Sequence, residues 1–287
     1  MKRKSKQLVF NSYRFQIVPT SKNVQISFDP IKIDNISDLI KQKNNIFELL
    51  LNEGNILKFC KQEFTCRLDS HKDNIYIFRV GFKRQIERTK KDFRKERIED
   101  WPNVLIILNN DPNVQKILIQ HNARLTQDTT TVINKIWQSA NDFLRPYQLH
   151  ISIEPLFEKK EFWRLVKENW NRITVCDFEL FSPNLANISG KISDQIKELL
   201  RNSNSIKSHV KLESDSDSSL DLSENDPQLA GLVDYTAEGG GNIRVKIRGF
   251  SKYKSTAKNV KTITIEEMEI KVQSLEDLKK ILPGLFD

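Results

Sequence analysis

The order of apolar and polar positions divides the chain into short segments with two different periods. Residues 7–18 (QLVFNSYRFQIV) alternate loosely and stop at Pro19, and Val24–Phe28 has similar texture, so both are predicted strands. Ile36, Leu39, Ile40, Ile46, Leu49 and Leu50 instead recur at helical spacing, and Gly54 ends that helix. Ile56–Leu68 and Asn74–Phe82 are expected to pair as strands across the polar DSHKDN turn. After Pro102, VLIILNN is a buried strand with NVQKILIQ as its hairpin partner. Thr129–Leu144 gathers Val132, Ile133, Ile136, Trp137, Ala140 and Leu144 on one helical face. The strand HISIEPLF, the helix EFWRLVKENW and the strand RITVCDFELF follow.

The middle of the chain therefore reads β-β-α-β-α-β, an order that suits an α+β fold with mixed or antiparallel sheets and helices packed on one face. No glycine-rich turn follows any of these strands, which removes a dinucleotide-binding reading. Beyond Pro183 the texture changes. Ser193–Arg201 is a short helix, and residues 213–226 (ESDSDSSLDLSEND) form an acidic, serine-rich tract without a basic residue. Gly239-Gly240-Gly241, a strand at Asn242–Gly249, a basic segment, a strand at Lys261–Glu266 and a helix at Leu275–Leu282 complete the chain. Three units are expected: residues 1–100, ending in a basic helix; 101–183, the β-β-α-β-α-β unit; and 184–287, with the acidic tract and a basic β-hairpin.

Length and composition narrow the classes. The 287 residues hold enough Ile, Leu and Phe for a sizeable core, and no stretch approaches the eighteen apolar residues of a membrane helix. Cys60, Cys66 and Cys176 are too few and too scattered for a disulfide framework or a zinc site, so reduced thiols and a cytoplasmic setting are expected. The net charge of +8 favours a polyanionic partner, because phosphates attract Lys and Arg and release counterions on contact.

That charge is concentrated in two places. The first is Arg79–Arg97, where Lys83, Arg84, Arg88, Lys90, Lys91, Arg94, Lys95 and Arg97 accompany Arg79 against Glu87, Asp92 and Glu96. The spacing of Arg84, Arg88, Lys91 and Lys95 predicts a cationic helix face; a solvated helix bridging two subdomains is the alternative. The second runs from Gly239 to Thr264, with Arg244, Lys246, Arg248, Lys252, Lys254, Lys258 and Lys261 and no acidic residue. Arg244, Lys246 and Arg248 alternate with Ile243, Val245 and Ile247, so a strand would turn the cations outward and the aliphatics inward, with Phe250 and Tyr253 offering stacking surfaces. The glycine triplet could let backbone N–H groups approach a phosphate or could be a flexible turn, and it lacks the ending of a P-loop.

Catalytic signals are thin. His71, His121, His150 and His209 have no metal-ligand spacing, Asp177 and Glu179 lack a nearby lysine to complete a nuclease motif, and Glu154 reads as a strand-end residue. No catalytic residue, metal or cofactor is assigned.

Several phrases resemble a phage-defence-associated bacterial family: Asp100-Trp101-Pro102-Asn103-Val104, Asn110-Asp111-Pro112 with Gln115-Lys116-Ile117, Ile153-Glu154-Pro155, Glu161-Phe162-Trp163, Phe178-Glu179-Leu180 with Ser182-Pro183-Asn184, and Asp234-Tyr235. The order of an Ile-Glu-Pro strand, a helix and an Ile-Thr-Val strand is distantly similar to RexA-type phage-exclusion proteins. The resemblance spans roughly residues 7–270 and includes no catalytic signature. It implies a dimeric, sequence-nonspecific binder of double-stranded DNA with a fold like the recombination-associated protein RdgC, acting as a sensor beside a membrane partner. Two alternatives stand: a metal-dependent nuclease of a defence system, and an interaction module whose acidic tract covers its own basic surface.

Overall fold

A computed structural model describes residues 7–21, 24, 26–28, 31–58, 64–125, 129–181, 190–203, 205–266 and 285. Cys60 and the helix expected at 275–282 lie outside them. The molecule is α+β, with antiparallel pairing throughout its two main sheets. Among the described residues, no helix is long and apolar enough to cross a membrane.

The large sheet centres on β1 (Gln7–Pro19), after which come β2 (Ile26–Phe28), β3 (Ile31–Ile33) and α1 (Ile36–Asn52). β4 (Phe64–Lys72), β5 (Ile75–Phe82), β8 (Asn103–Asn109) and β9 (Lys116–Gln120) build outward from β1 in the order β1-β9-β8-β5-β4. On the other side of β1, β10 (Leu149–Pro155) pairs with Tyr13–Pro19, and β15 (Thr262–Glu266) pairs with Gln7–Asn11. Because side chains alternate along a strand, the two faces of β1 differ. Tyr13, Phe15 and Ile17 join the core under α1 and α2 (Thr130–Leu144), where Leu39, Phe47, Ile136 and Ala140 are fully buried. Each such leucine, isoleucine or phenylalanine side chain contributes roughly 1.5–3 kcal/mol by leaving water. On the reverse face Leu8 and Phe10 pack with Ile107, Leu118 and Ile265, and beyond them lie the buried polar Ser12, Arg14 and Gln16.

The small sheet has the order β12-β11-β13-β14, made of β11 (Ile173–Phe181), β12 (Lys207–Glu213), β13 (Gly241–Ile247) and β14 (Lys254–Ser255). Its inner side chains Cys176, Phe178, Leu180, Ile243, Val245 and Ile247 bury against α3 (Lys159–Glu168), α4 (Asp194–Asn202) and α5 (Pro227–Tyr235). Asp226 caps α5 by accepting from the Gln228 and Leu229 N–H groups, and Pro227 occupies the first turn, where no backbone donor is needed.

The divisions expected at residues 100 and 183 do not follow these sheets, since the large sheet takes strands from both sides of residue 100 and closes with β15. The expected C-terminal hairpin is corrected in the same way. β13 pairs with β11 and with the two-residue β14, whereas the strand at 262–266 crosses to the large sheet. The basic helix is also overturned: β6 (Arg84–Thr89) and β7 (Lys95–Asp100) form a separate two-stranded arm. With Ile86 opposite Ile98 as its one apolar pair, the segment has no helical apolar stripe to bury. Oppositely charged residues face each other instead, Glu87 across from Arg97, Arg88 from Glu96 and Arg84 from Asp100.

The glycine triplet lies packed where the two sheets meet. A side chain on Gly239 would come within 2.5 Å of Arg14 Cβ, and one on Gly241 would collide with the Glu179 carbonyl. Gly239 has φ +84, and its carbonyl accepts from the Gln16 side chain at 3.3 Å. The triplet is therefore buried packing, and its backbone faces neighbours within the chain rather than an open phosphate cradle.

Candidate nucleic-acid interface

The outer face of the small sheet is a charge ladder built by strand register. Lys211, Asp177 and Arg244 lie side by side across β12, β11 and β13, and the next row holds His209, Glu179 and Asn242. Asp177 receives Arg244 Nη2 at 2.6 Å and His209 Nδ1 at 2.9 Å. Burial works to raise this carboxyl, but the bonds from His209 and Arg244 outweigh it and hold Asp177 below its ordinary range. Glu179 pairs with Lys207 at 2.8 Å. The two carboxylates that a nuclease motif would need are thus engaged by cations. Among the described residues no group of three or more His, Cys, Asp or Glu is placed to hold a metal ion.

Toward the other end of β13 the next row holds Glu213, Val175 and Lys246, and Glu213 is taken by Lys211 rather than by Lys246. The alternation predicted for this strand is present: Ile243, Val245 and Ile247 are at most 1% exposed, while Arg244, Lys246 and Arg248 point outward. Lys246 bonds the Ser251 carbonyl at 2.7 Å and lies 5.6 Å over the Tyr253 ring. Phe250 is flanked by Arg172 at 5.5 Å and Lys254 at 4.9 Å. Arg172 and Arg248 bond each other's backbone, which ties the turn before β11 to the turn after β13. Phe250, Tyr253 and Trp170 stay exposed there. Among the described residues, Lys246, Arg248, Lys252, Lys254 and Lys258 have no carboxylate partner, whereas Arg244 is held by Asp177 and Lys261 by Glu158 at 3.5 Å. This end of the sheet thus combines uncompensated cations with aromatic faces, the arrangement that grips phosphates and stacks bases.

The β6–β7 arm has a different balance. Lys83 pairs with Glu99, Arg84 with Asp100, Lys90 with Glu96, Arg94 with Asp92, and both Lys95 and Arg97 with Glu87; Arg79 pairs with Asp69 outside the arm. Arg88 stands opposite Glu96, and Lys91 sits in the turn. At the tip Phe93 adopts φ +62 and is 87% exposed.

The acidic tract is fixed against the basic end through its backbone. The carbonyls of Ser216 and Ser218 accept from Arg248 at 3.2 and 2.5 Å, and the N–H groups of Ser214 and Leu220 bond to Thr174 and Ile173. Leu220 and Leu222 pack on the small-sheet core. Asp215, Asp217, Asp221 and Glu224 form no ion pair among the described residues. The tract's negative charge therefore stands beside Arg248 without being neutralised by it.

No family model matches this chain, and no curated protein matches it. Its class is accordingly set by its architecture, a two-sheet α+β protein with a basic, aromatic-rich end on the smaller sheet.

Proposed function

We propose that the chain binds nucleic acid through the end of the small sheet formed by Lys246, Arg248, Lys252 and Lys254 with Phe250 and Tyr253, without base-specific readout. The observation that carries this reading is the pairing of cations that lack carboxylate partners with exposed aromatic rings. Phosphate contacts from Lys and Arg act on every sequence alike, and rings stack on any base that is unpaired. The resemblance to phage-exclusion proteins supports double-stranded DNA as the target and an anti-phage sensor as the role. The tract at 213–226 supports a regulatory reading, because the Ser216 and Ser218 carbonyls occupy the Arg248 guanidinium that a phosphate would take, and Asp215 and Asp217 are their chain neighbours.

The test is fluorescence anisotropy with random-sequence duplexes of differing composition over a salt series. The expected result is equal affinity for all duplexes and steep weakening with salt. Affinity that is absent at low salt, or that depends on sequence, overturns the proposal.

A further inference from the structure

We infer that the cleft at the free edge of β10 binds a single nucleobase, carried either by a free nucleotide or by the end of a bound strand. This deepens the nucleic-acid reading and rests on it for the choice of ligand. The cleft, about 350 Å³, opens where α2 lies under the large sheet and the small sheet lies over it. Trp137 comes from α2, His150, Ile153 and Glu154 from β10, and Phe181 and Lys207 from the small sheet.

Strand parity determines what the cleft floor offers. The Leu156 N–H donates to the Ser12 carbonyl at 2.9 Å, and the Gln148 carbonyl accepts from Thr20 at 2.8 Å, so even-numbered peptide groups of β10 serve β1. Odd-numbered ones turn to the free edge. Both groups of Ile151 are taken by the side-chain amide of Asn141, at 2.9 and 3.0 Å. Ile153 comes next and lines the cleft; among the described residues nothing bonds its N–H or carbonyl. Pro155 then has no N–H to give. The open edge is one donor beside one acceptor. An added peptide strand needs several such pairs in a row, and Asn141 and Pro155 deny them. The donor and acceptor on the edge of one base need only this pair.

The surrounding groups fit a nucleotide. Trp137 is 42% exposed, with its ring edge-on to His150 at 6.2 Å, and supplies a stacking surface. Lys207, paired with Glu179 at 2.8 Å, lies 5.1 Å over Phe181 and borders the cleft. Glu154 stands opposite Arg14 on β1 and faces Glu179 and Lys207 from the small sheet, with Glu238 beside the glycine triplet paired to Arg14 at 3.6 Å. Burial first, and then Glu179, push its carboxyl up to about 8 against the opposing pull of Lys207. At neutral pH it therefore carries a proton and offers a donor and an acceptor. His150, held below its ordinary value by burial, stays neutral over the same range.

The experiment is equilibrium dialysis of the full chain with radiolabelled adenosine, guanosine, cytidine and uridine 5′-monophosphates, with inorganic phosphate and a short single-stranded oligonucleotide as competitors. At least one nucleotide should bind, and phosphate should not displace it. Trp137→Ala should weaken binding roughly tenfold. Glu154→Gln should match the wild type at pH 7 and keep its affinity at about pH 9, where the wild type loses roughly tenfold through ionisation of a carboxyl near 8. Competition by the oligonucleotide assigns the base to a strand end, and failure to compete assigns it to a free nucleotide. Charge reversal of Lys246, Arg248 and Lys254 should weaken duplex binding at least about a hundredfold and leave nucleotide binding intact, which separates this site from the phosphate-binding surface. The inference is overturned if no nucleotide binds, if phosphate competes equally, or if both Trp137→Ala and Glu154→Gln bind like wild type at every pH.

Discussion

The β6–β7 arm and the β13–β14 end of the small sheet are both dense in lysine and arginine, yet they differ in what those cations face. On the arm, register sets Glu87 against Arg97 and Asp100 against Arg84, and further carboxylates reach Lys83, Lys90, Arg94 and Lys95. At the β13–β14 end, Lys246, Arg248 and Lys254 meet carbonyls and rings, and Lys252 has no carboxylate partner among the described residues. A cation already paired must give up its partner before it reaches a phosphate, while one lying over an aromatic ring needs only to reorient. Local charge density thus says where cations are, and the strand partners decide which of them are available.

Charge reversal tests the comparison most severely. Lys246→Glu, Arg248→Glu and Lys254→Glu together should cost at least about a hundredfold in duplex affinity at low salt, judged from three lost phosphate contacts and three added repulsions. Reversing Lys90, Lys95 and Arg97 on the arm should cost only a few-fold, and equal losses would break the distinction. Next in size, Phe250→Ala should weaken single-stranded binding by about 1–3 kcal/mol with the salt slope unchanged. A change in slope instead would mean that the ring merely positions Arg172 and Lys254.

Smaller effects sharpen the same contrast. Asp177→Asn frees Arg244 and should cost about 1–2 kcal/mol of stability in denaturant titrations at neutral pH. Because the folded-state Asp177 carboxyl is depressed, that contribution is present above its unfolded value near 4 and is lost as pH falls through the folded value, so mutant and wild type should converge in strong acid. Glu87→Gln releases Lys95 and Arg97, with a stability loss of about 1 kcal/mol or less, since these pairs are exposed. Duplex affinity should rise slightly, by about twofold to threefold. Asp215→Asn with Asp217→Asn should raise it by a similar factor if the tract competes with phosphates, and unchanged affinity would remove its regulatory role.

Much of this was legible in the chain. The alternation of Ile243, Val245 and Ile247 with Arg244, Lys246 and Arg248 fixes a one-sided strand, and α2 follows from its apolar stripe. The arm was not, because Arg84, Arg88, Lys91 and Lys95 also match helical spacing, and only the distant pairings 84–100 and 87–97 reveal a hairpin. β12 escaped notice since KSHVKLE is an edge strand with few apolar residues, and α5 since its start is marked only by Asp226 and Pro227. The cations of the candidate site could be read directly, whereas the capture of Arg244 by Asp177 depends on two strands 67 residues apart. Glu154 was missed as well: its burial arises from the small sheet folding over β10, which no local signal encodes.

The most direct measurement is the salt dependence of duplex affinity for the wild type and two alanine variants, one replacing Lys246, Arg248 and Lys254, the other Lys90, Lys95 and Arg97. Each lost phosphate contact should lower the log–log slope by about 0.9, so the first variant should flatten it by roughly 2.7 and the second should leave it nearly unchanged. A slope flattened by the arm variant and preserved in the β13–β14 variant would contradict the account.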